Sequence, residues 1–347
     1  MQASVQDVQY MKRCLELAAQ GQGFVAPNPM VGAVIVHNNS IIGEGYHRKY
    51  GEAHAEVNAV NSVDDKSLLK ESTIYVSLEP CSHHGKTPPC CDLIILHQFK
   101  RVVVAMQDPF PLVSGRGIEK IRANGIQVDV GILEDEAKEL NKQFIHFHTQ
   151  KKPWVRIKWA ETADGFIDKE RARDDKPLSI TNSLVNTFNH KERAKFDAIL
   201  VGYQTALKDN PKLNVRHWNG RSPIRVVFDR NNNLPKSLHL FNDGQPTWII
   251  NSVEDREDGP VKFIKTEWNN KVDFTLKLLY ENNKQSLLIE GGKELISSFI
   301  ESNNHNEIWR FKSHDLFIES GISAPTLKFQ PTNQITFKNN SLYLYTS

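Results

Sequence analysis

Three residues in the first third of the chain are of the types that hold a transition metal: His54, Cys81 and Cys90. His54 opens His54-Ala-Glu56 at the expected start of a helix. Cys81 follows Glu79-Pro80 just past an expected strand, and Cys90 follows Pro88-Pro89 where another helix is expected to begin. One imidazole and two thiolates favour zinc among the common ions. Three protein ligands leave the fourth tetrahedral position to water, which marks a catalytic rather than a structural site. Glu56 lies about 200° round an ideal helix from His54 and is a poor fourth ligand, but in the first turn it can still reach a site beyond the helix end. A carboxylate so placed can take a proton from metal-activated water and pass it to a ring nitrogen and then to a leaving amine. That chemistry is hydrolytic deamination. Helix N-termini also lower thiol pKa values, which favours metal binding by Cys90.

His-x-Glu joined to Pro-Cys-x-x-Cys is a zinc-deaminase signature, stretched here so that eight residues separate the two cysteines. Cys91, adjoining Cys90, is either a small buried hydrophobe or the ligand in its place, and Cys14 reads as core on the apolar face of the first helix. His83, His84 and Lys86 fall in the loop between the ligands, where Lys86 is either solvated or within reach of a substrate phosphate. In the second half, Ser286-Leu-Leu-Ile-Glu290-Gly291-Gly292 is a buried strand that ends in two glycines before a helix over Lys293–Ile300. Such a turn is either simply tight or a place where helix N-terminal amides hold a phosphate.

These residues need elements to place them. The pattern predicts a helix over Tyr10–Ala19, a strand over Val31–Val36 in a hairpin with Ile41–Gly45, and a helix over Ala53–Val63. A strand follows at Thr73–Leu78, a helix at Cys90–His97, a strand at Arg101–Ala105, a helix at Gly117–Ala123, a strand at Ile126–Val130 and one helix over Glu134–Phe147. Strands alternating with helices mean α/β layers. The polar stretch Gln150-Lys-Lys-Pro153 divides the chain into domains at 1–149 and 150–347. The second restarts with a strand at Trp154–Trp159, a helix at Ser183–Lys195, and strands at Ala198–Val201, Ile224–Phe228, Thr247–Ile250 and Ser286–Ile289. Gly21-Gln-Gly23-Phe-Val-Ala26 matches a dinucleotide fingerprint by chance, because it follows a helix and not a strand. His146 and His148 read as surface or linker residues.

Composition narrows the function further. The 347 residues are 39% hydrophobic, with 43 Lys+Arg against 41 Asp+Glu and a formal net charge of +2. A near-balanced charge argues against a general nucleic-acid binder and for a small substrate. The N-terminal stretch is neither a signal peptide nor a run of about 20 apolar residues, so a cytoplasmic protein without a membrane span is expected. Four cysteines, three of them between 81 and 91, are no disulfide framework.

Asn28-Pro-Met-Val-Gly32, His54-Ala-Glu56 and Glu79-Pro-Cys-Ser-His-His-Gly-Lys-Thr-Pro-Pro-Cys90 closely resemble the bifunctional deaminase/reductase family of riboflavin biosynthesis, over most of residues 5 to 150. The resemblance implies a cytidine-deaminase-like three-layer α/β/α domain. It makes His54, Cys81 and Cys90 the ligands of one zinc ion and Glu56 the proton donor, with Asn28 and Lys86 touching substrate. The implied reaction removes the pyrimidine amine of 2,5-diamino-6-ribosylamino-4(3H)-pyrimidinone 5′-phosphate. In the second half Ile157-Lys-Trp-Ala-Glu-Thr162-Ala-Asp164-Gly165, the Arg193 helix, Gly202 to Arg216 and Glu290-Gly-Gly292 are similar to the reductase portion of the same family. That implies a dihydrofolate-reductase-like α/β domain that reduces the ribosyl group to ribityl with NADPH. Thr205, Asp209, Gly291, Gly292 and Glu161 would then contact NADPH, and Arg193, Leu213, Arg216 and Glu290 the substrate. Arg193 and Arg216 suit its phosphate, since guanidinium binds phosphate bidentately. The partner is thus a small pyrimidine ribosyl phosphate, with neither nucleic acid nor membrane, and the chain is expected to be a homo-oligomer.

The sequence departs from the family at Ser179, where Trp is frequent, in the long charged stretch Asp168–Lys176, and in Lys312–Gly321, where a glycine-rich run is usual. Two competing functions remain. A deaminase of tRNA or free nucleosides would need a close Cys-x-x-Cys pair and a basic face, and a structural zinc protein would need a fourth ligand.

Overall fold

The computed structural model describes residues 4–83, 88–110, 114–172 and 175–346. The chain forms two compact units, Met1–Lys151 and Lys152–Ser347.

In the first unit, α1 (Val5–Ala19) is followed by β1 (Gly32–His37), β2 (Ser40–Tyr46), α2 (Ala55–Ser62), β3 (Thr73–Val76), α3 (Cys90–Leu96), β4 (Arg101–Val104), α4 (Arg116–Ala123), β5 (Gln127–Val130), α5 (Glu134–Leu140) and α6 (Lys142–Gln150). The sheet order is β2-β1-β3-β4-β5, antiparallel between β2, β1 and β3 and parallel from β3 to β5. Successive strand side chains point to opposite faces, and both faces here are apolar. Ile35, Ile74, Val76, Val102 and Val104 pack under α2, α3 and α4, whereas Val34, Val36, Tyr75 and Val103 pack under α1 and α5. The result is three layers, α/β/α. The single helix expected over Glu134–Phe147 is two helices. Asn141 breaks it with φ −101° and ψ 18°, because its buried amide bonds both the N–H and the C=O of Met30 at 2.9 Å. One glycine fixes how the metal-binding helix sits. A Cβ on Gly45 would lie 2.3 Å from the backbone nitrogen of Ala59, so α2 rests directly on β2 and His54, at its start, is held in place.

In the second unit the order is β6 (Trp154–Glu161), β7 (Phe166–Asp168), α7 (Ser183–Arg193), β8 (Ala198–Gly202), α8 (Tyr203–Asp209), β9 (Ile224–Phe228), α9 (His239–Asn242), β10 (Thr247–Asn251), β11 (Arg256–Asp258), β12 (Val261–Lys265), α10 (Lys271–Glu281), β13 (Ser286–Glu290), α11 (Lys293–Glu301), β14 (Glu307–Ser313), β15 (Ile322–Ser323), β16 (Asn333–Phe337) and β17 (Asn340–Thr346). The main sheet runs β11-β12-β10-β9-β8-β13-β6-β14-β17-β16. From β12 to β14 its strands are parallel, and the edges are antiparallel. Apolar side chains fill both faces, under α10 and α11 on one side and α8 and α9 on the other. In such open parallel sheets ligands bind outside the carboxyl ends of the strands.

Candidate functional sites

The metal-binding residues converge from three elements. His54 is the N-cap of α2, Cys81 lies in the loop after β3, and Cys90 is the first residue of α3. His54 Nδ1 lies 3.6 Å from Cys81 Sγ and 3.3 Å from Cys90 Sγ, and the three ligand atoms lie within 4.8 Å of one another. Metal–ligand bonds of 2.0–2.3 Å at a tetrahedral angle place ligand atoms about 3.5 Å apart, so this donor set fits zinc. Backbone bonds hold the loop to the helix, since the Cys90 N–H donates to Cys81 Sγ at 3.3 Å and the Cys91 N–H to Cys81 O at 3.2 Å. Hydrogen bonding from Cys90 draws the Cys81 thiol down to about 4, with His54 adding to it against the cost of burial. A lowered thiol favours the thiolate, the form that binds metal. Glu56, in the first turn of α2, is 3% exposed, and burial pushes its carboxyl up to about 7, helped by the charge of Cys81. Cys91 and Cys14 are buried, Cys14 beneath α1 in the core. Lys86 lies outside the described residues.

Asn28 reaches the same place through a residue that spacing alone does not single out. Its Nδ2 lies 3.1 Å from His47 Nε2, while His47 Nδ1 lies 3.1 Å from the carbonyl of Ala53. The carbonyl accepts only, so Nδ1 carries the proton and Nε2 accepts from Asn28. Burial lowers the His47 pKa, which suits this neutral ring. It packs edge-on against His54, centroids 5.4 Å apart. Glu79, of the Glu79-Pro80-Cys81 motif, is also buried. Its carboxylate accepts from the N–H groups of Asp108, Gly115 and Gly117 at 2.9–3.1 Å, tying the cysteine loop to the start of α4.

The second unit holds a cleft of about 950 Å³ at the carboxyl ends of β6, β8, β9 and β13. Thr205, Asp209, Gly291, Gly292, Arg193, Leu213, Arg216 and Glu290 all line it. Gly291 and Gly292 have φ of +108° and +75°, which L side chains rarely adopt, and a Cβ on Gly291 would meet Thr205 at 3.2 Å. This turn lets a ligand's backbone approach the start of α11, where free amides suit a phosphate. Arg193 is partly committed. Its Nη2 donates to Glu290 Oε2 at 2.8 Å and its Nη1 to Asn214 O at 2.8 Å. Arg216 is exposed, and its Nη1 donates to Asn214 Oδ1 at 3.1 Å. Glu290 Oε1 is buried without a partner among the described residues. Burial raises the Glu290 carboxyl, but Arg193 and Lys158 outweigh it and hold it below its ordinary range.

One expectation changes in this cleft. Glu161 does not line it. The residue is 4% exposed, its carboxylate accepts from Trp159 Nε1 at 3.0 Å, and Lys312 Nζ stands 4.0 Å away. The charged stretch, given above as a departure from the family, contributes to the cleft. Its Arg171 side chain is 2% exposed and pairs with Asp168 at 2.7 Å and with Asp209, while Ser179 lines the cleft beside it. Spacing did not mark Arg171, because Asp209, 38 residues on, becomes its neighbour only in the folded chain.

An open three-ligand metal centre on a three-layer α/β/α domain, joined to an α/β domain with a dinucleotide-sized cleft, defines a bifunctional enzyme: a cytidine-deaminase-like hydrolase with a dihydrofolate-reductase-like oxidoreductase. Comparison with known proteins agrees. Residues 4–106 match the cytidine and deoxycytidylate deaminase zinc-binding region, and residues 153–311 match the RibD C-terminal domain. The chain is 41% identical over 302 residues to the riboflavin biosynthesis protein RibD of Aquifex aeolicus, covering 85% of this chain and 83% of that protein. It is similar to the crystal structure of the diaminohydroxyphosphoribosylaminopyrimidine deaminase/5-amino-6-(5-phosphoribosylamino)uracil reductase of Thermotoga maritima, with a TM-score of 0.89, 38% identity and 98% of each chain covered. RibD of Acinetobacter baumannii aligns with a TM-score of 0.89, 30% identity and the same coverage. The chain belongs to the RibD family of bifunctional riboflavin-biosynthesis deaminase/reductases. No described helix is long and apolar enough to cross a membrane.

Proposed function

We propose that the first domain, 1–149, deaminates 2,5-diamino-6-ribosylamino-4(3H)-pyrimidinone 5′-phosphate, and that the second, 150–347, reduces the ribosyl group of the product to ribityl with NADPH. The observation that carries this reading is the convergence of His54, Cys81 and Cys90 beside a buried Glu56. Zinc held by these three would supply an activated water at neutral pH. Glu56 carries one proton of that water to the ring nitrogen and then the proton of the new hydroxyl to the departing amine, so that ammonia leaves and a carbonyl remains. Asn28, fixed by neutral His47, presents its amide to the pyrimidine. In the cleft, bound NADPH would supply the hydride. Thr205, Asp209 and the Gly291–Gly292 turn hold the dinucleotide against the sugar. Arg216 and Arg193 face the substrate phosphate, and Glu290, with one uncommitted oxygen, orients the ribosyl hydroxyls.

The reading is tested by incubating the purified chain with the diaminopyrimidine ribosyl phosphate, measuring bound metal, ammonia without NADPH, and NADPH oxidation after its addition. Zinc at one per chain, ammonia release, and then NADPH consumed one for one are expected. Ammonia without oxidation overturns the reductase assignment, and the absence of both overturns the whole.

A further inference from the structure

Among the buried polar side chains of the second unit, His190 has no part in the chemistry proposed above. It sits on α7, one turn before Arg193, is 5% exposed, and does not line the cleft. What it touches is the loop that follows α8. Its Nδ1 accepts from the backbone N–H of Arg216 at 3.2 Å, and its ring stands edge-on to His217, with centroids 4.7 Å apart. A backbone N–H can only donate, so Nδ1 keeps its lone pair and the ring proton of the neutral form is on Nε2. The surroundings enforce that form. Burial, with the charges of Arg193 and Arg216, brings the His190 pKa down to about 4. A proton on Nδ1 would remove the acceptor and add a third positive charge beside two guanidinium groups.

This bond is one of three on consecutive residues. Asn214 O accepts from Arg193 Nη1 at 2.8 Å, and the Val215 N–H donates to Ser222 Oγ at 3.0 Å. The loop needs such ties. Leu213 has φ +53°, a left-handed conformation that a branched side chain keeps only when its surroundings over-determine it. His190, Arg193 and Ala194 share one face of the helix end at i, i+3 and i+4. The loop lies so close to that face that a Cβ on Gly220 would stand 2.7 Å from Ala194 Cβ. Leu213 and Arg216, at the two ends of the pinned segment, both line the cleft. Among the described residues the Arg216 guanidinium has one hydrogen bond, from Nη1 to Asn214 Oδ1 at 3.1 Å, so its place follows the backbone beneath it. Bidentate binding of phosphate depends on that place, because the guanidinium fork is planar and directional.

We infer that His190 is a positioning residue of the reductase: it holds the Arg216 backbone on α7 and thereby aims the Arg216 guanidinium at the 5′-phosphate of the deaminated substrate. The inference rests on the reductase reading. It is tested on the full-length chain by steady-state NADPH oxidation with the deaminated ribosyl phosphate, for wild type, His190→Leu, His190→Asn and Arg216→Gln. His190→Leu removes the acceptor. KM for the phosphorylated substrate should rise about threefold to tenfold, the effect of losing one hydrogen bond. Both kcat and the KM for NADPH should stay within about twofold of wild type, the signature of lost ground-state binding. His190→Asn, whose Oδ1 overlays Nδ1, should restore most of the affinity. In the Arg216→Gln background the leucine substitution should cost nothing further, since the two residues then act as one. If His190→Leu does not fold, His190→Gln takes its place, because its amide overlays Nε2 and not Nδ1. An unchanged substrate KM overturns the inference. Equal losses for substrate and NADPH overturn it by showing a merely structural role, and a full further loss in the Arg216→Gln background does so by separating His190 from Arg216. Arg216→Gln without effect on the substrate KM removes the phosphate contact and the inference with it, while the reductase reading stands. If wild type oxidises no NADPH with this substrate, the reductase reading falls as well.

Discussion

At the scale of single residues the deaminase site separates holding a metal from moving a proton. His54, Cys81 and Cys90 face one another within 4.8 Å, and Glu56 adds a buried carboxylate that the metal does not need. Glu56→Gln keeps the volume and the hydrogen-bonding shape but removes the proton carrier. Ammonia release should therefore fall by a factor on the order of 10² to 10⁴, with zinc content unchanged by metal analysis and NADPH oxidation on supplied deaminated product intact. Loss of zinc from this variant would make Glu56 a ligand and sink the assignment. In the reductase cleft the same separation is less complete. Arg193, read from the sequence as a phosphate contact, spends two of its donors on Glu290 and Asn214, so its first role within the protein is to hold the Glu290 carboxylate charged and oriented.

At the scale of elements, the first unit depends on how α1 docks. Asp7, near the start of α1, accepts from Arg101 of β4 at 2.7 Å and from Tyr75 of β3 at 2.7 Å. Burial raises the carboxyl, yet Arg101 and Tyr75 outweigh it and bring it from an ordinary 3.8 to about 2. A depressed carboxyl stabilises the fold above its unfolded pKa, and that stability is lost as pH falls through the folded one. The gap corresponds to about 2 kcal/mol. Urea unfolding of the first unit should therefore weaken between about pH 4 and pH 2, and Asp7→Asn should lose about that much at neutral pH and flatten the acid slope. An unchanged slope would mean that Asp7 titrates alike in both states. The same elements show what a sequence reveals. Val31–Val36 and Arg101–Ala105 were legible as strands because a run of β-branched residues leaves little else, and the metal site was legible because its ligands sit at element ends marked by proline and by His-x-Glu. The break at Asn141 was not, since its cause is a bond to Met30, 111 residues away. β14 was hidden for a similar reason. Glu307, at its start, and Arg156 of β6 are buried and paired at 2.6 Å, with the guanidinium 3.7 Å over the Trp309 ring, a pairing of residues 151 apart that no local pattern shows. His47 and Arg171 escaped notice because each has a partner that only the fold supplies, Asn28 for the one and Asp209 for the other.

At the scale of the whole molecule, each of the two compact units has cores of its own: Ile35, Ile74 and Ile121 with their neighbours in the first, and Ile157, Leu200 and Phe299 with theirs in the second. Ligands that bind one unit's native state should then stabilise that unit selectively, because linkage acts only through the fold that forms the site. The metal ligands all belong to Met1–Lys151, and the dinucleotide cleft to Lys152–Ser347. Differential scanning calorimetry of the intact chain should show two transitions. A chelator should lower one of them and leave the other in place. NADPH at about 100 times its dissociation constant should add about 2.7 kcal/mol to the second, raising its midpoint by about 5–10 °C for a unit of this size. If chelation and NADPH instead move a single common transition, the two units unfold as one cooperative body, and a substitution in either site would then be felt in the stability of both.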